Sequence, residues 1–425
     1  MTPQARPLTG LEAGFFAYGS RPTPVNLQIG GLTLFTGTPP PLDEGRRFVT
    51  SWTDAVPALA LVPHGGGRRS RWVVHPALDP DLHGRVWEAE PGGLRAAVDA
   101  VMAQELPPGA PPWQCWLIQG YAEGEWAVLV KAHHALLDGA SLIQVACRVL
   151  GRASAEEPRR RPRRRGRGTD LVRVARGLLR YALRFLPVAT GAFAFEGSGA
   201  RRFEWTAVPL ATLRGVADRH GCTVNDVFLA ALTTVLREWP HTPWRRGPRP
   251  VWTLVPADLH ERDGDDEPSA KVVNLRVALP CDEPDPRRRL RALARATAIS
   301  KRSGHVATGA AGSRALPVWL VSALLRLTFS RWHIDLLASN VRGSRRALAY
   351  EGTPMTGMVP LGFIPRGHPL GAFLVSYADQ TCVGFAVDPA LPGGDALCRL
   401  WEQAVDELDR LEVVETSREP EDALD

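Results

Sequence analysis

An arginine-rich interruption in the middle of the chain constrains its fold more than any other feature. Residues 159–184 hold eleven arginines and one aspartate, a net charge of +10, which leaves −4 for the rest of the 425 residues. The segment Arg159–Gly168 has no aliphatic or aromatic side chain to bury, so it should be a solvated linker. Because a chain of this length can bury two substantial cores, the interruption predicts two lobes joined by a basic crossover.

This interruption, together with the composition on either side of it, predicts that the chain is divided into four regions. We predict an N-terminal lobe over residues 1–150 and a basic crossover over residues 151–190. A C-terminal lobe should cover residues 191–412. The acidic tail over residues 413–425 has little to bury, and we expect it to be disordered.

The crossover also carries a predicted helix with one basic side. The spacing over Asp170–Leu186 is helical, with arginines three or four residues apart at Arg173, Arg176, Arg180 and Arg184. A basic amphipathic helix fits an anionic membrane or lipid-body surface, or an acidic partner such as an acyl carrier protein. The alternative is a plain solvated linker. Since the excess of positive over negative charge is confined to this segment and the rest of the chain is mildly acidic, we expect no nucleic-acid partner.

Strand and helix patterns alternate in both halves, which indicates an α/β protein. Strands are predicted at Asn26–Phe35, Arg71–His75, Trp116–Tyr121, Trp126–Ala132, Phe203–Val208, Val251–Pro256, Val272–Leu279, Met355–Leu361, Ala372–Tyr377 and Thr381–Val387. Helices are predicted at Leu42–Trp52, Gly93–Leu106, Ala140–Leu150, Thr212–His220, Pro286–Lys301, Ala315–Phe329 and Gly394–Leu411, with a further one opened by Thr223.

The composition excludes several classes of protein. The six cysteines are scattered without a close pair, which argues against a zinc site or a disulfide framework. The first residues lack the apolar core of a signal peptide. No run reaches the roughly 18 apolar residues of a membrane span. We therefore expect a cytoplasmic protein in a reducing setting, at most peripheral to a membrane or lipid body.

Two adjacent histidines end a predicted buried strand. The strand passes into His133-His134, and Asp138-Gly139 then opens the predicted helix Ala140–Leu150. A neutral His134 can take a proton from a hydroxyl or amine as that group attacks a carbonyl. Asp138 can fix the local geometry by capping, and Gly139 leaves room for a substrate.

Two other interpretations of the histidine pair are open. In the first, His133 and His134 are merely polar residues at the end of a strand. In the second they bind a metal, because two histidines and a carboxylate suit iron or zinc. Adjacent side chains on an extended backbone point to opposite faces, so His133 and His134 cannot easily coordinate the same ion. We expect no metal.

The stretch His133–Gly139 has the form HHxxxDG, and here the chain resembles a known superfamily. It is the acyltransferase superfamily that includes chloramphenicol acetyltransferases and peptide-synthetase condensation domains, and the chain most resembles its bacterial wax ester synthase/diacylglycerol acyltransferases. The resemblance implies two chloramphenicol acetyltransferase-like lobes, each a mixed sheet flanked by helices, with a tunnel between them. It also implies that His134 is the general base, that Asp138 is structural and that Gly139 gives the acyl donor access.

Two further segments resemble motifs of the same family. Thr223–Val227 is close to its Thr-Val-Asn-Asp-Val motif, and Leu337–Gly343 resembles a Ser/Thr-Asn-Val-Pro-Gly-Pro loop. These matches suggest a substrate-binding role for Asn225, Asp226, Ser339 and Asn340. For the first pair the residues themselves favour a structural role, in which Thr223 caps a helix and the pair occupies its first turn.

The resemblance predicts an acyltransferase that moves an acyl group from an acyl thioester to an alcohol, such as a fatty alcohol or a diacylglycerol. No cofactor is implied, and no covalent intermediate. Departures from the family pattern lie at Gly19, Asn26, Pro112, Ser269-Ala270 and Arg342. They leave open a second hypothesis, in which the protein is a free-standing enzyme of specialised metabolism that forms an ester or amide from a CoA or carrier-protein thioester. A third hypothesis is a non-enzymatic lipid-binding or carrier-docking module.

Overall fold

The computed structural model describes residues 5–20, 25–65, 70–151, 195, 197–242, 244, 250–258, 272–302 and 318–412. The predicted crossover helix with its four arginines, the departure at Ser269-Ala270 and the acidic tail all lie outside these residues. Within them strands and helices alternate along both halves, as predicted for an α/β protein.

The strands form two large sheets and one small one. They are β1 (Arg6–Pro7), β2 (Gln28–Thr36), β3 (Leu61–His64), β4 (Arg71–Val74), β5 (Gly84–Glu88), β6 (Trp113–Gln119), β7 (Glu125–His133), β8 (Arg202–Pro209), β9 (Val251–Asp258), β10 (Val272–Leu279), β11 (Leu336–Arg342), β12 (Ala349–Tyr350), β13 (Thr353–Leu361), β14 (Leu370–Tyr377) and β15 (Gln380–Val387).

Most of the helices pack against the two large sheets. The helices are α1 (Gly10–Ser20), α2 (Leu42–Thr50), α3 (Trp52–Ala55), α4 (Pro80–His83), α5 (Leu94–Ala103), α6 (Gly139–Leu150), α7 (Leu210–Arg219), α8 (Val224–Glu238), α9 (Pro286–Arg302), α10 (Val318–Thr328) and α11 (Leu397–Asp409). In contrast to the others, α1 and α10 pack against each other. No helix among the described residues has both the length and the apolar character needed to cross a membrane.

The first large sheet has the order β12-β13-β2-β7-β6-β5, and only the β5–β6 pair in it is parallel. The strands predicted over Trp116–Tyr121 and Trp126–Ala132 are present as β6 and β7, which pair antiparallel as a hairpin. β7 lies between β6 and β2, with Gln28 opposite His133 at one end and Thr36 opposite Glu125 at the other. The strand that ends in the histidines is therefore held on both sides.

The second large sheet has the order β10-β9-β11-β14-β15-β8, with β11 parallel to both of its neighbours. Helix α8 packs on it and is buried along almost its whole length, which makes α8 the centre of the second hydrophobic core. Its two central threonines, Thr233 and Thr234, satisfy their hydroxyls by donating to the carbonyls of Leu229 and Ala230 one turn back.

A strand exchange links the two halves of the chain. β12 and β13 come from the C-terminal half but belong to the first sheet, where β13 pairs with β2 from Met355 opposite Phe35 to Leu361 opposite Gly30. The two sheets are thus not built from separate stretches of sequence. The boundaries of the four predicted parts stay a prediction.

Two predicted elements differ from the structure. The helix predicted over Leu42–Trp52 is broken at Ser51, which ends α2 and precedes α3. The segment Leu337–Gly343, which resembles a loop of the family, is instead mostly strand β11. β14 pairs with it from Leu337 to Arg342 and β9 pairs with it at Leu337, so its backbone is held in the sheet.

Candidate active site

The end of β7 fixes the backbone of both histidines. The N–H of His133 donates to the carbonyl of Pro112 at 2.9 Å, and the N–H of His134 donates to the carbonyl of Leu27 at 3.0 Å. Both acceptors lie just before the neighbouring strands β6 and β2. The histidine pair is therefore anchored from both sides, at the point where the chain leaves the sheet.

Two adjacent phenylalanines of α1 each stack on one imidazole. Phe16 lies on His133 with ring centres 4.4 Å apart and 9° between the planes, and Phe15 lies on His134 at 4.7 Å and 13°. Phe363 meets the His134 ring edge to face at 5.4 Å. The two imidazoles are therefore held by different aromatic side chains, and the described residues contain no metal-binding group of His, Cys, Asp and Glu.

Gly14 allows α1 to carry these phenylalanines close to the histidines. A Cβ at Gly14 would lie 2.9 Å from Leu325 Cδ1 and 3.1 Å from Val321 Cγ1, both on α10. The missing side chain lets α1 and α10 approach closely. Behind them, the Phe329 ring contacts Tyr18 and Phe363 with centres 5.5 Å apart in each case.

His133 has a structural contact that fixes its tautomer. Its Nδ1 accepts a hydrogen bond from the N–H of Ala135 at 3.1 Å, so the proton of the neutral ring lies on Nε2. Burial, with a smaller contribution from His134, lowers the pKa of His133 to about 3. The ring is therefore neutral near pH 7 and shapes the turn that follows β7.

His134 has the properties of a general base. Burial lowers its pKa, and the nearby carboxylate of Asp138 opposes that shift. Nδ1 is buried and meets no partner from another residue, while the carbonyl of His134 itself lies against the ring. Because a carbonyl accepts hydrogen bonds but cannot donate them, this contact favours the tautomer with the proton on Nδ1. The lone pair is then on Nε2, at the accessible edge of this half-buried ring.

Asp138 is the N-cap of α6, as predicted. It is 2 % exposed, and its Oδ1 accepts the N–H of Ser141 at 2.8 Å. The cap satisfies one of the free N–H groups at the start of the helix. Asp138 therefore fixes the turn between the histidines and α6, and its charge favours protonation of His134.

Gly139 lies at the edge of a large apolar cavity between the first sheet and the helices α2 and α6. The cavity encloses about 1130 Å³, part of it open to solvent, and β11, β13 and β14 of the C-terminal half also contribute to its wall. The charged residues of its lining are Arg46 and Arg85. A Cβ at Gly139 would lie 3.2 Å from Val341 Cγ2, so any larger residue would narrow this edge.

The structure places the remaining predicted site residues in two different regions. Ser339 and Asn340 are half-buried on β11, opposite Phe373 and Leu374, and precede Val341 of the cavity wall. Asn225 is half-buried in the first turn of α8, the helix at the centre of the second core. The first pair thus lies beside the cavity, whereas Asn225 and its neighbour Asp226 belong to the helix start.

Asp226 completes a capping box at the start of α8, which confirms the predicted capping role of this motif. Its Oδ2 accepts the N–H of Thr223 at 2.9 Å and the Thr223 hydroxyl at 2.7 Å, and its Oδ1 accepts the Thr297 hydroxyl at 2.6 Å. The two bonds to Thr223 close the start of α8, and the bond from Thr297 joins α8 to α9. A role of Asn225 or Asp226 in binding substrate stays a prediction.

Four residues at this site are not among those predicted from the sequence: Phe15, Phe16, Phe363 and Arg201. Phe15 and Phe16 could have been noticed as an adjacent aromatic pair on the first helix, although nothing local points from them to the histidines. Arg201 gave no signal. Its Nη1 donates to the carbonyls of Gln28 and Gly362 at 2.8 and 3.1 Å, and burial lowers its pKa to about 10.

The comparisons with known proteins decide the family. The wax ester synthase/diacylglycerol acyltransferase catalytic domain matches residues 8–194, and the C-terminal domain of the same family matches residues 271–409. The chain belongs to the wax ester synthase/diacylglycerol acyltransferase family. It is accordingly an O-acyltransferase, as the histidine motif predicted.

Relatives of this wax ester synthase/diacylglycerol acyltransferase cover nearly its whole length. A Mycobacterium tuberculosis (strain H37Rv) protein named as a diacylglycerol O-acyltransferase is 28 % identical over 451 residues, 94 % of this chain and 95 % of the relative. A second protein of that strain, also named as a diacylglycerol O-acyltransferase, is 27 % identical over 406 residues, which cover 90 % of this chain and 85 % of the relative.

Solved structures confirm the two-lobed chloramphenicol acetyltransferase-like fold. The wax ester synthase/diacylglycerol acyltransferase from Marinobacter aquaeolei VT8 has a TM-score of 0.68 at 23 % identity, covering 95 % of this chain and 98 % of its own. The starter condensation domain of rhizomide synthetase, solved with C8-CoA and Leu-SNAC, has a TM-score of 0.62 at 15 % identity, covering 96 % and 94 %.

The cap predicts different effects for two substitutions of Asp138. Asp138→Ala removes the acceptor for the Ser141 N–H and should lower the free energy of unfolding by about 1 kcal/mol. For a protein of 425 residues that unfolds as one unit, the melting temperature should fall by about 1 °C. Asp138→Asn keeps a capping oxygen and should melt close to wild type. Equal destabilisation in a thermal melt of both variants would show that the cap is not the mechanism.

The lowered pKa of His134 predicts the position of the acid limb of the pH–rate profile. A base must be unprotonated, so kcat/KM should stay high as the pH falls through the ordinary histidine value of about 6.5 and should drop only below it. Melting temperatures across the same range are the control, because histidines buried in the neutral form destabilise the fold at lower pH. A midpoint above 6.5 in a fully folded enzyme would contradict this.

Proposed function

We propose that this protein transfers an acyl group from acyl-CoA to the hydroxyl of a fatty alcohol or a diacylglycerol. The observation that carries the proposal is a neutral His134, with Nε2 on its accessible edge, in a motif whose glycine borders an apolar cavity of about 1130 Å³. The relatives named as diacylglycerol O-acyltransferases support the choice of acceptor.

The proposed reaction is a direct transfer. His134 Nε2 removes the proton of the acceptor hydroxyl as its oxygen attacks the thioester carbon. The tetrahedral intermediate then collapses, the carbon–sulfur bond breaks, and the thiolate of CoA takes up the proton from His134. Cys115, the cysteine of the cavity wall, is not a competing nucleophile, because burial raises the pKa of its thiol to about 12. The reaction requires neither a metal nor another cofactor.

The cavity supplies the site for the acyl chain. Its apolar lining includes Val128 and Val130 of β7 and Leu142, Ala146 and other residues of α6. Each methylene group transferred from water into such a wall contributes about 0.8 kcal/mol. We place the thioester at the Gly139 edge and the chain inside. Ser339 and Asn340, on the strand beside this edge, are the proposed polar contacts to the donor.

A second candidate reaction is ester or amide formation from a carrier-protein thioester onto a small alcohol or amine. One observation favours it: Pro112, a departure from the family pattern, lies at the site itself, where its carbonyl accepts the His133 N–H. Intact-mass and product analysis with acyl-CoA and acyl-carrier donors against alcohols, diacylglycerol and amines separates the two. Ester formation from acyl-CoA alone supports the first reaction. Turnover restricted to carrier-bound donors or amines would overturn it.

We further propose that the enzyme works at a lipid surface, through an apolar patch of α10 and the turn after it. Trp319 is 67 % exposed, Trp332 is 55 % exposed and Leu327 is 39 % exposed. Arg326 and Arg331 are exposed beside them. Tryptophan and arginine together suit the interface of an anionic membrane or lipid body. The four arginines of the predicted crossover helix would add to this attraction.

The patch predicts a loss of lipid binding on substitution. Trp319→Ser/Trp332→Ser should weaken sedimentation with anionic liposomes by at least about tenfold, because a large apolar side chain contributes about 1.5–3 kcal/mol when fully buried. Leu82→Ser, at another exposed apolar residue, is the control. Turnover of a short soluble acyl-CoA should be unchanged. Wild-type binding by the double variant would exclude this patch as the contact.

A further inference from the structure

A second cavity lies on the C-terminal half, between the end of α7 and the outer side of α9. It encloses about 730 Å³, part of it open to solvent, and none of its residues belongs to the wall of the apolar cavity beside the histidine motif. It is lined by Arg219, His220, Cys222, Leu290, Arg291, Ala294 and Arg295. Four of these seven lining residues are basic, whereas the lining of the cavity beside the histidine motif, the acyl cavity, is mostly apolar.

Helix α9 presents three like charges on this side. Arg287, Arg291 and Arg295 are four residues apart, so about 6 Å of helix separates each from the next. Like charges at this spacing destabilise an isolated helix. Arg288 and Arg289, which lie between the first two, pair with Asp285 and Glu407. In the described part of the chain, the other three arginines have no carboxylate within ion-pair distance.

Two polar atoms beside the cavity are buried without a hydrogen-bond partner. They are Nε of Arg287 and Nε2 of His220. Burial lowers the pKa of His220, the positive charges of Arg219, Arg287 and Arg291 lower it further, and the backbone of Leu411 opposes the shift. Asp409 is already bound by Arg219 at 2.6 Å. The local positive charge is therefore in excess.

We propose that this cavity binds a multiply charged phosphate anion. Guanidinium groups bind phosphate oxygens through paired, charge-assisted hydrogen bonds, and arginines about 6 Å apart can reach two phosphate groups of one molecule. Arg291 and Arg295 are the principal ligands, and Arg287 Nε and His220 Nε2 are the buried groups that complete the site. A free diphosphate and the phosphorylated nucleotide end of a CoA thioester share this chemistry.

Calorimetric titration of the full-length protein with sodium pyrophosphate tests the site. Wild-type protein should bind, and Arg291→Gln/Arg295→Gln should bind about tenfold or more weakly. Arg288→Gln, on the same helix but paired with Asp285, should bind like wild type. Affinity should fall with added sodium chloride. Thermal melts of all three proteins confirm folding.

Competition identifies the source of the anion. If CoA displaces pyrophosphate and 3′-dephospho-CoA does so more weakly, the nucleotide end of CoA is the ligand. If neither displaces it, the site takes a free diphosphate. No binding by wild type, or equal binding by the folded double variant, overturns the proposal. Pyrophosphate binding that appears only in a variant truncated after Glu412 would also overturn the proposal. The occupant of the cavity would then be the acidic tail over residues 413–425 of the protein itself.

Discussion

Replacing His134 with alanine should lower turnover by roughly 10²–10⁴-fold, which corresponds to about 3–5 kcal/mol of barrier. The substitution removes the group to which we assign the proton of the acceptor hydroxyl. The rest of the motif, including the cap at Asp138, does not depend on the imidazole of His134. We therefore expect the loss in kcat, measured under saturating donor and acceptor, with little change in KM for the donor.

Two comparisons make the result specific to His134. His134→Gln keeps a polar side chain of similar length but cannot act as a base near pH 7, so it should be as inactive as the alanine variant. His133→Ala removes the acceptor of the Ala135 N–H, so it should lower the melting temperature along with activity. Turnover near the wild-type level in a folded His134 variant would exclude His134 as the base.

Filling the acyl cavity should change which donors the enzyme accepts. Ala146 lies on α6 in the cavity wall, and Ala146→Phe would place an aromatic ring in the space assigned to the acyl chain. At about 0.8 kcal/mol per methylene group, excluding four of them costs about 3 kcal/mol, or roughly 10²-fold in kcat/KM. Palmitoyl-CoA should lose about that much, whereas butyryl-CoA should be little affected.

A matched control separates cavity filling from a general disturbance of α6. Gln144 lies on the same helix outside the cavity wall, so Gln144→Phe should leave the ratio of long-chain to short-chain kcat/KM unchanged. The ratio is the informative measurement, because damage to the fold lowers both values together. An unchanged ratio in Ala146→Phe would place the acyl chain elsewhere.

The sequence was sufficient for those parts of the fold that depend on neighbouring residues. The hairpin ending in His133 and the cap at Asp138 follow from alternation, from a short connection and from the preference of aspartate for helix N-termini. The capping box of Thr223 and Asp226 follows in the same way. Each of these features is decided within one short, continuous stretch of chain.

The rest depends on contacts between distant parts of the chain. Nothing in the local pattern of β13 shows that it pairs with β2, because its residues suit any half-buried strand. The same holds for Phe363, which reaches His134 only through that pairing. Phe15 and Phe16 contact the histidines because α1 packs against α10, and α10 begins only at Val318.

The pairing of β13 with β2 has a consequence for how this protein is made. The ribosome finishes β2 at Thr36, but it must reach Thr353 before the partner strand exists. At about 5–20 residues per second this wait is on the order of tens of seconds, and the edge of β2 stays unpaired throughout. An open strand edge recruits other strands. Nascent chains should therefore need a chaperone during translation, and early termination products should aggregate.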